Sequence, residues 1–427
     1  MLSDYAATIA ALSQRIVQAQ KPIRVLDAIK WSPEIRETFF DQKAKVLPQV
    51  DVAYYAKIPL GFDIAKKREE FSHIAQDVRR QLGTFSGISQ ILLRICDEYQ
   101  TVVDLLAARG TPEFSRISQQ LYGSASDLFH AGAPSLNDLA ELVSDVVDVI
   151  KSQVANVNDD KIYGSDEAAQ ILNTRLSTYF SDNKNICVIP SDGIIADAAA
   201  GAECIKLRSD ARFSRRDLNV LEVHEGWVHL GTTLNGLSQP VCTFLSKGPP
   251  SSTITQEGLA IIMEIFTFSS HPLRIERLTD RIKAINLAEN GANFIEVYQF
   301  LLEKGMSEHD GYTLASRVFR GCSPDKGAFT KDLAYSKGFV LIYNYIRLAI
   351  QRGLLRRISL LFLGKTTLED LPVLEDLLDE GLIIAPRYVP PQFQDMASLS
   401  SWMCYSLFLN QLDLKRMAAD YKGLLQQ

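Results

Sequence analysis

Val223-His224-Glu225-Gly226-Trp227-Val228-His229 decides how the rest of this chain is read. It has two histidines five positions apart, with a glutamate directly after the first. Neutral imidazoles and carboxylates are the side chains that hold zinc. A glutamate beside the first histidine is placed to act as a base toward water activated by such a metal. The spacing has a geometric consequence. Five residues turn about 140° around an ideal helix, so two ligands on a regular helix would not meet one ion. A π-type bulge would return them to one side, and such bulges favour functional sites. Gly226 lowers the cost of a distorted turn. At this point two core or surface histidines on a regular helix remain an open reading. Trp227 is read as a core aromatic rather than a pocket wall.

The next feature downstream is Thr255-Gln256-Glu257-Gly258-Leu259-Ala260. A third ligand is expected from a glutamate on a helix a few tens of residues after the histidines. Glu257 is the candidate and Glu264 the runner-up. Working outward, apolar spacing predicts helices over 4–20, 64–107 (interrupted near 83–87), 139–154, 165–180 and 218–230. Further helices are expected over 258–268, 274–289, 292–304, 308–319 and 333–352. Residues 186–190 and 203–208 read as short strands. An edge strand just before the metal motif would be able to pair with an extended peptide. Asn235-Gly236 reads as a turn opening a loop-rich stretch over 235–250. The fold class expected is α+β, mainly helical, with a small sheet. Composition changes around 156–160, which suggests a helical N-terminal region (1–160) and a metallopeptidase domain with C-terminal helices (161–427).

Composition narrows the function. The chain has 427 residues, is 46% hydrophobic and 22% charged, and carries a formal net charge of −6. A bulk-charge nucleic-acid binder needs a basic face, so nucleic acid is not expected as a partner. No stretch reaches the ~20 apolar residues that span a bilayer, so no membrane partner is expected. The N-terminus lacks the basic start and apolar run of a secretory signal. Six cysteines are scattered without a CxxC pair, which fits reduced thiols and a cytoplasmic location.

The ensemble Arg212-Phe213-Ser214, His224 to His229, Asn235-Gly236, Gln239-Pro240 and Gln256-Glu257-Gly258-Leu259-Ala260 resembles the DUF1704 family. Its bacterial branch is named for the QEGLA motif, as flavohemoglobin expression-modulating proteins. Its animal branch contains the microtubule-associated tyrosine carboxypeptidases. Arg317-Val318-Phe319-Arg320-Gly321, Gly327-Ala328-Phe329-Thr330-Lys331-Asp332 and Tyr335 also look like that family. The resemblance covers at least 200–340. Gly226-Trp227-Val228 looks like the bacterial branch, because the animal enzymes carry a β-branched residue, Gly and Thr there.

The resemblance implies a zincin-like core with one zinc per chain on His224, His229 and Glu257, and with Glu225 as general base. The substrate expected is a peptide or protein C-terminus. An oxyanion needs an electrophile besides the metal, for which Tyr335 is the candidate and Arg320 the next. A carboxypeptidase also has to anchor a terminal carboxylate, best done by Arg. Arg208, Arg212 and Lys331 are the candidates, with Arg320 in the same pool. Two other readings stay open: a zinc amidohydrolase acting on a small amide, and a regulatory protein that keeps a metal site without catalysis. The intact Glu225 argues against the latter, since a structural site needs ligands but no base.

Overall fold

In the computed structural model, residues 3–154, 160–183, 185–192, 194, 196–201 and 204–425 are described. The expected change of composition at 156–160 therefore falls largely outside the described residues, as does Glu203 of the second expected strand.

Three early helices, Asp4–Gln20, Ile64–Leu82 and Gly87–Ala107, match the apolar spacing of their sequences closely. Ser3, Asp63 and Ser86 cap them by accepting backbone N–H bonds, as these residue types do best. Their apolar faces, including Ile9, Leu12, Phe71, Ile74 and Leu92, form one buried cluster with Val223, Val228, Leu259 and Ile342. The N-terminal helices thus share one core with the segment that carries His224 and His229. A second cluster joins Trp31, Phe39 and Phe114 to Phe294, Tyr312, Phe319 and Phe329.

The sheet is small. β1 (Tyr163–Gly164) pairs antiparallel with β5 (Arg212–Phe213). β2 (Cys187–Ser191) runs parallel to β4 (Cys204–Arg208), and β3 (Ala198–Ala200) runs antiparallel to β4 at the sheet edge. Val188, Ile205 and Leu207 bury one face against Leu172 and Leu176 of the helix Ser165–Tyr179 and against Leu230. The segment His224 to His229 therefore lies between a helical layer and the three-stranded sheet. Mainly helical α+β architecture is what the sequence predicted.

Two expectations fail. Cys187 and Cys204 are register partners, with Cα atoms 4.6 Å apart, and form a disulfide. Cys96, Cys242, Cys322 and Cys404 remain free thiols, as expected. A parallel pairing brings the first two together across 17 residues, which spacing alone does not reveal. Asn235-Gly236 is not a turn. Both residues are buried in the helix Gly231–Leu237. The Asn235 amide donates to the Phe362 and Tyr388 carbonyls and accepts from the Arg387 and Tyr388 N–H groups. The asparagine fastens a C-terminal segment instead of reversing the chain. Among the described residues, no helix is long and apolar enough to cross a membrane.

Candidate metal centre

The site begins at Ser214, whose hydroxyl and Asp217 form a reciprocal capping box that starts the helix Arg215–Leu221. The chain then runs without a break into a nine-residue π-helix, Glu222–Leu230. This is the distortion that the five-residue histidine spacing required. Gly226 packs against Leu176, and Trp227 stacks on Tyr179 with ring centroids 5.1 Å apart. The tryptophan is thus part of the packing behind the site, as expected. Arg175 bonds Asn219 and Glu222 and ties the start of the π-helix to the neighbouring helix.

The third contributor is the helix Ser252–Phe266, called here the ligand helix. Glu257 lies in its second turn, so the helix starts earlier than the sequence indicated. Gly258 meets Gly338 of the helix Ala334–Gln351; a Cβ at either glycine would overlap the other's backbone. That close crossing sets the height of Glu257. Gln256 accepts from Thr232 and Lys365 and donates to the Gly364 carbonyl. Lys365 also donates to the His229 carbonyl, at 2.9 Å. These bonds join the ligand helix to the end of the π-helix. Burial lowers the Lys365 ammonium to about 7, against the pull of Glu257 and Glu225.

His224, His229 and Glu257 converge as a group able to hold a metal ion, their ligand atoms all within 4.8 Å of one another. Glu257 Oε2 is 3.4 Å from His224 Nε2 and 3.5 Å from His229 Nε2. That oxygen is buried and has no hydrogen-bond partner among the described residues. An orphaned carboxylate oxygen facing two imidazole nitrogens is costly unless a cation completes it. The donor set of two nitrogens and one oxygen fits zinc. His224 Nδ1 donates to Glu264 at 2.7 Å, and Glu264 receives both arms of Arg274 at 2.8 and 3.1 Å. Glu264 therefore orients a histidine and is not itself in the triad, contrary to its runner-up status. Burial opposes charge on His224, but Glu257 and Glu264 outweigh it and raise the imidazole to about 9. Burial likewise opposes the Glu257 charge, yet His229, His224 and Lys331 hold the carboxyl well below its usual range.

Glu225 is separate from the triad. Its Oε2 accepts from the Ala200 N–H of the edge strand β3 at 2.9 Å. Glu225 and His224 face a cavity of about 650 Å³ that is also lined by Arg208, Arg274, Arg281, Arg317, Arg320 and Tyr335. The Tyr335 ring lies 6.2 Å from the His224 ring, centroid to centroid. Lys331, whose ammonium is lowered by burial, feels the Glu257 charge. The other expected residues are placed less favourably. Arg208 pairs with Asp197 and Asp210 at 2.7 and 2.8 Å. Arg212 donates to the Lys161 and Ile162 carbonyls, where it braces the β1–β5 pair. Sequence reasoning missed Arg274, Arg281 and Lys365. Glu264, seven residues after Glu257, carried the one available signal, since two helical turns put it on the same face.

No curated protein matches this chain. One solved structure, described as "BsuCP Crystal Structure", is similar at 14% sequence identity, covering 91% of this chain and 94% of that one, with a TM-score of 0.35. The family model for the microtubule-associated tyrosine carboxypeptidases matches residues 37–411. That span contains the π-helix, the ligand helix and the cavity wall together. The chain therefore belongs to the microtubule-associated tyrosine carboxypeptidase family.

Proposed function

We propose that this chain is a zinc-dependent carboxypeptidase, with one zinc per chain on His224, His229 and Glu257. The observation that carries the reading is the unpartnered Glu257 oxygen set between two imidazoles, with Glu225 beside them at the cavity. Zinc bound there would polarise a peptide carbonyl and make water a nucleophile near neutral pH.

The remaining steps fall to the chain's own residues. Glu225, held by the Ala200 N–H, takes the proton of the attacking water and passes it to the leaving amine. Burial raises the Tyr335 hydroxyl to about 12, so it stays protonated and can donate to the developing oxyanion, with Arg320 as the next donor. Glu264 and Arg274 keep the His224 ring in one orientation, as partners of metal-bound histidines do. β3 offers an edge to which an extended peptide can add as a strand. We infer a zincin-like core within 161–427, buttressed by the helices of 1–160. The substrate is a peptide or protein C-terminus, anchored by the basic wall of the cavity, to which Arg208 and Arg320 contribute. Gln256 to Ala260 then reads physically as the QEGLA motif of the DUF1704 proteins: a tether, a ligand, a helix crossing and two core residues.

Metal analysis of the purified chain tests the reading. About one zinc per chain is expected for a site of this kind. His224→Ala should lose it, whereas Glu225→Gln should keep zinc and lose peptide hydrolysis. A Glu225→Gln protein that hydrolyses peptides as the parent does would sink the mechanism.

A further inference from the structure

The α-helix is the favoured geometry and the π-helix is rare, so something has to hold the wider register of Glu222–Leu230. The exit from that helix shows what does. The Gly231 N–H donates to the Gly226 carbonyl, five residues back, and the regular helix Gly231–Leu237 follows at once. Where the register narrows from five residues to four, one carbonyl is left without a backbone N–H, and a buried carbonyl needs a partner. Side chains collect at this point. The Thr232 hydroxyl lies 2.7 Å from the Val228 carbonyl. The His229 carbonyl accepts from the Thr233 hydroxyl at 2.8 Å and from the Lys365 ammonium at 2.9 Å. Both lone pairs of the carbonyl at a candidate ligand residue are thus met by side chains.

Thr233 is local to the helix, whereas Lys365 arrives from 136 residues away. Its segment is fastened to the rest of the site. Asn235 donates to the Phe362 carbonyl, Gln256 donates to the Gly364 carbonyl, and the Lys365 N–H donates to the Leu245 carbonyl at 2.7 Å. A Cβ on Gly364 would overlap that same Leu245 carbonyl. From this platform the ammonium also donates to Gln256 Oε1 at 2.9 Å and to the Thr232 hydroxyl at 3.1 Å. All three of its donors are therefore spent. One holds the backbone of His229, and another holds the residue next to Glu257.

We propose that Lys365 is the positioning residue of the metal centre: by gripping the His229 carbonyl and the Gln256 amide together, it holds the π register and sets Glu257 against His229. This rests on the reading of the triad as a zinc site. Without the grip the helix is free to regain regular geometry, in which positions five apart diverge by about 140°, and His229 leaves the ion. The role also fixes the sign of an effect. A cation beside a dication opposes it, so a lysine acting through charge alone would, when removed, leave zinc binding unchanged or tighter. Removing a lysine that positions the ligands weakens it.

Competitive zinc titration compares the parent chain with Lys365→Met, which keeps an unbranched side chain but neither charge nor donors, and with Lys365→Arg, which keeps both. Lys365→Met should bind zinc about 10- to 100-fold more weakly, the size expected when a partner that orients a ligand is lost. Lys365→Arg should recover part of that loss. Cobalt(II) loaded in place of zinc reads the ligand set. Four-coordinate cobalt absorbs more strongly in the visible than six-coordinate cobalt with water in place of a lost ligand, so the bands of the Met variant should fall. A thermal melt identifies a variant that fails to fold, and Lys365→Gln, which keeps an amide donor without the charge, then serves in its place. The positioning role is refuted if zinc affinity in the folded variant is unchanged or higher, or if it falls while the cobalt bands stay as in the parent. The two readings fail separately. A parent that binds neither metal overturns the triad and the positioning role with it. A parent that binds both, with a variant that binds them equally well, overturns the positioning role alone.

Discussion

The two helices that supply the triad solve the same problem in opposite ways. The π-helix Glu222–Leu230 carries two of the three candidate ligands and abandons regular geometry to bring them together. The ligand helix Ser252–Phe266 carries one candidate ligand and stays regular, but needs a neighbour at glycine-to-glycine distance, and its Glu264 in turn orients His224 of the π-helix. Ligands close together in sequence are aligned by bending their own backbone. A ligand that arrives alone is aligned by what packs against its helix. The first device bends locally, although its His224 ring is oriented by Glu264 of the other helix; the second sets its ligand by contacts far away in sequence.

Substitutions can sharpen or break that contrast. The largest effect should come from Glu264→Ala. It frees the His224 ring and leaves Arg274 as a buried, unpaired cation. Loss of such a partner costs roughly 3–5 kcal/mol, and loss of an orienting carboxylate weakens metal binding about 10- to 100-fold. Denaturant unfolding and competitive zinc titration read the two separately. If zinc affinity is unchanged in folded Glu264→Ala protein, His224 of the π-helix does not depend on the carboxylate that the other helix offers it.

Gly258→Ala should rank next. A methyl there meets the Gly338 backbone, which cannot rotate away. Overpacking of this kind costs about 1–3 kcal/mol, and zinc affinity should fall with stability because Glu257 is displaced. Gly226→Ala should cost least, about 1 kcal/mol or below. Its methyl meets the Leu176 side chain, which can change rotamer, and alanine favours helix over glycine. Should Gly226→Ala prove the more damaging of the pair, the tolerance assigned to the π-helix would be wrong.

Much of this was legible in the sequence, for identifiable reasons. Helix spans such as Asp4–Gln20 and Ile64–Leu82 follow from apolar spacing, because each buries one continuous face. The turn signal Asn235-Gly236 misled because it presumes a solvent-exposed reversal, whereas Asn235 spends its amide on the 362 and 387–388 backbone. Lys365 gave no local sign, since its partner Gln256 is 109 residues away. The Cys187–Cys204 bond depended on strand register.

Residue types and short spacings by themselves determined the candidate ligand set, the need for a distorted helix and the mainly helical architecture, because backbone geometry repeats over a few residues. Only the tertiary structure decided which charges are cancelled. Arg274 and Arg317 look no different from Arg281 and Arg320 in the sequence; they differ in whether a carboxylate from elsewhere comes within hydrogen-bonding reach. Electrostatic interaction falls off with distance in space and takes no account of distance along the chain.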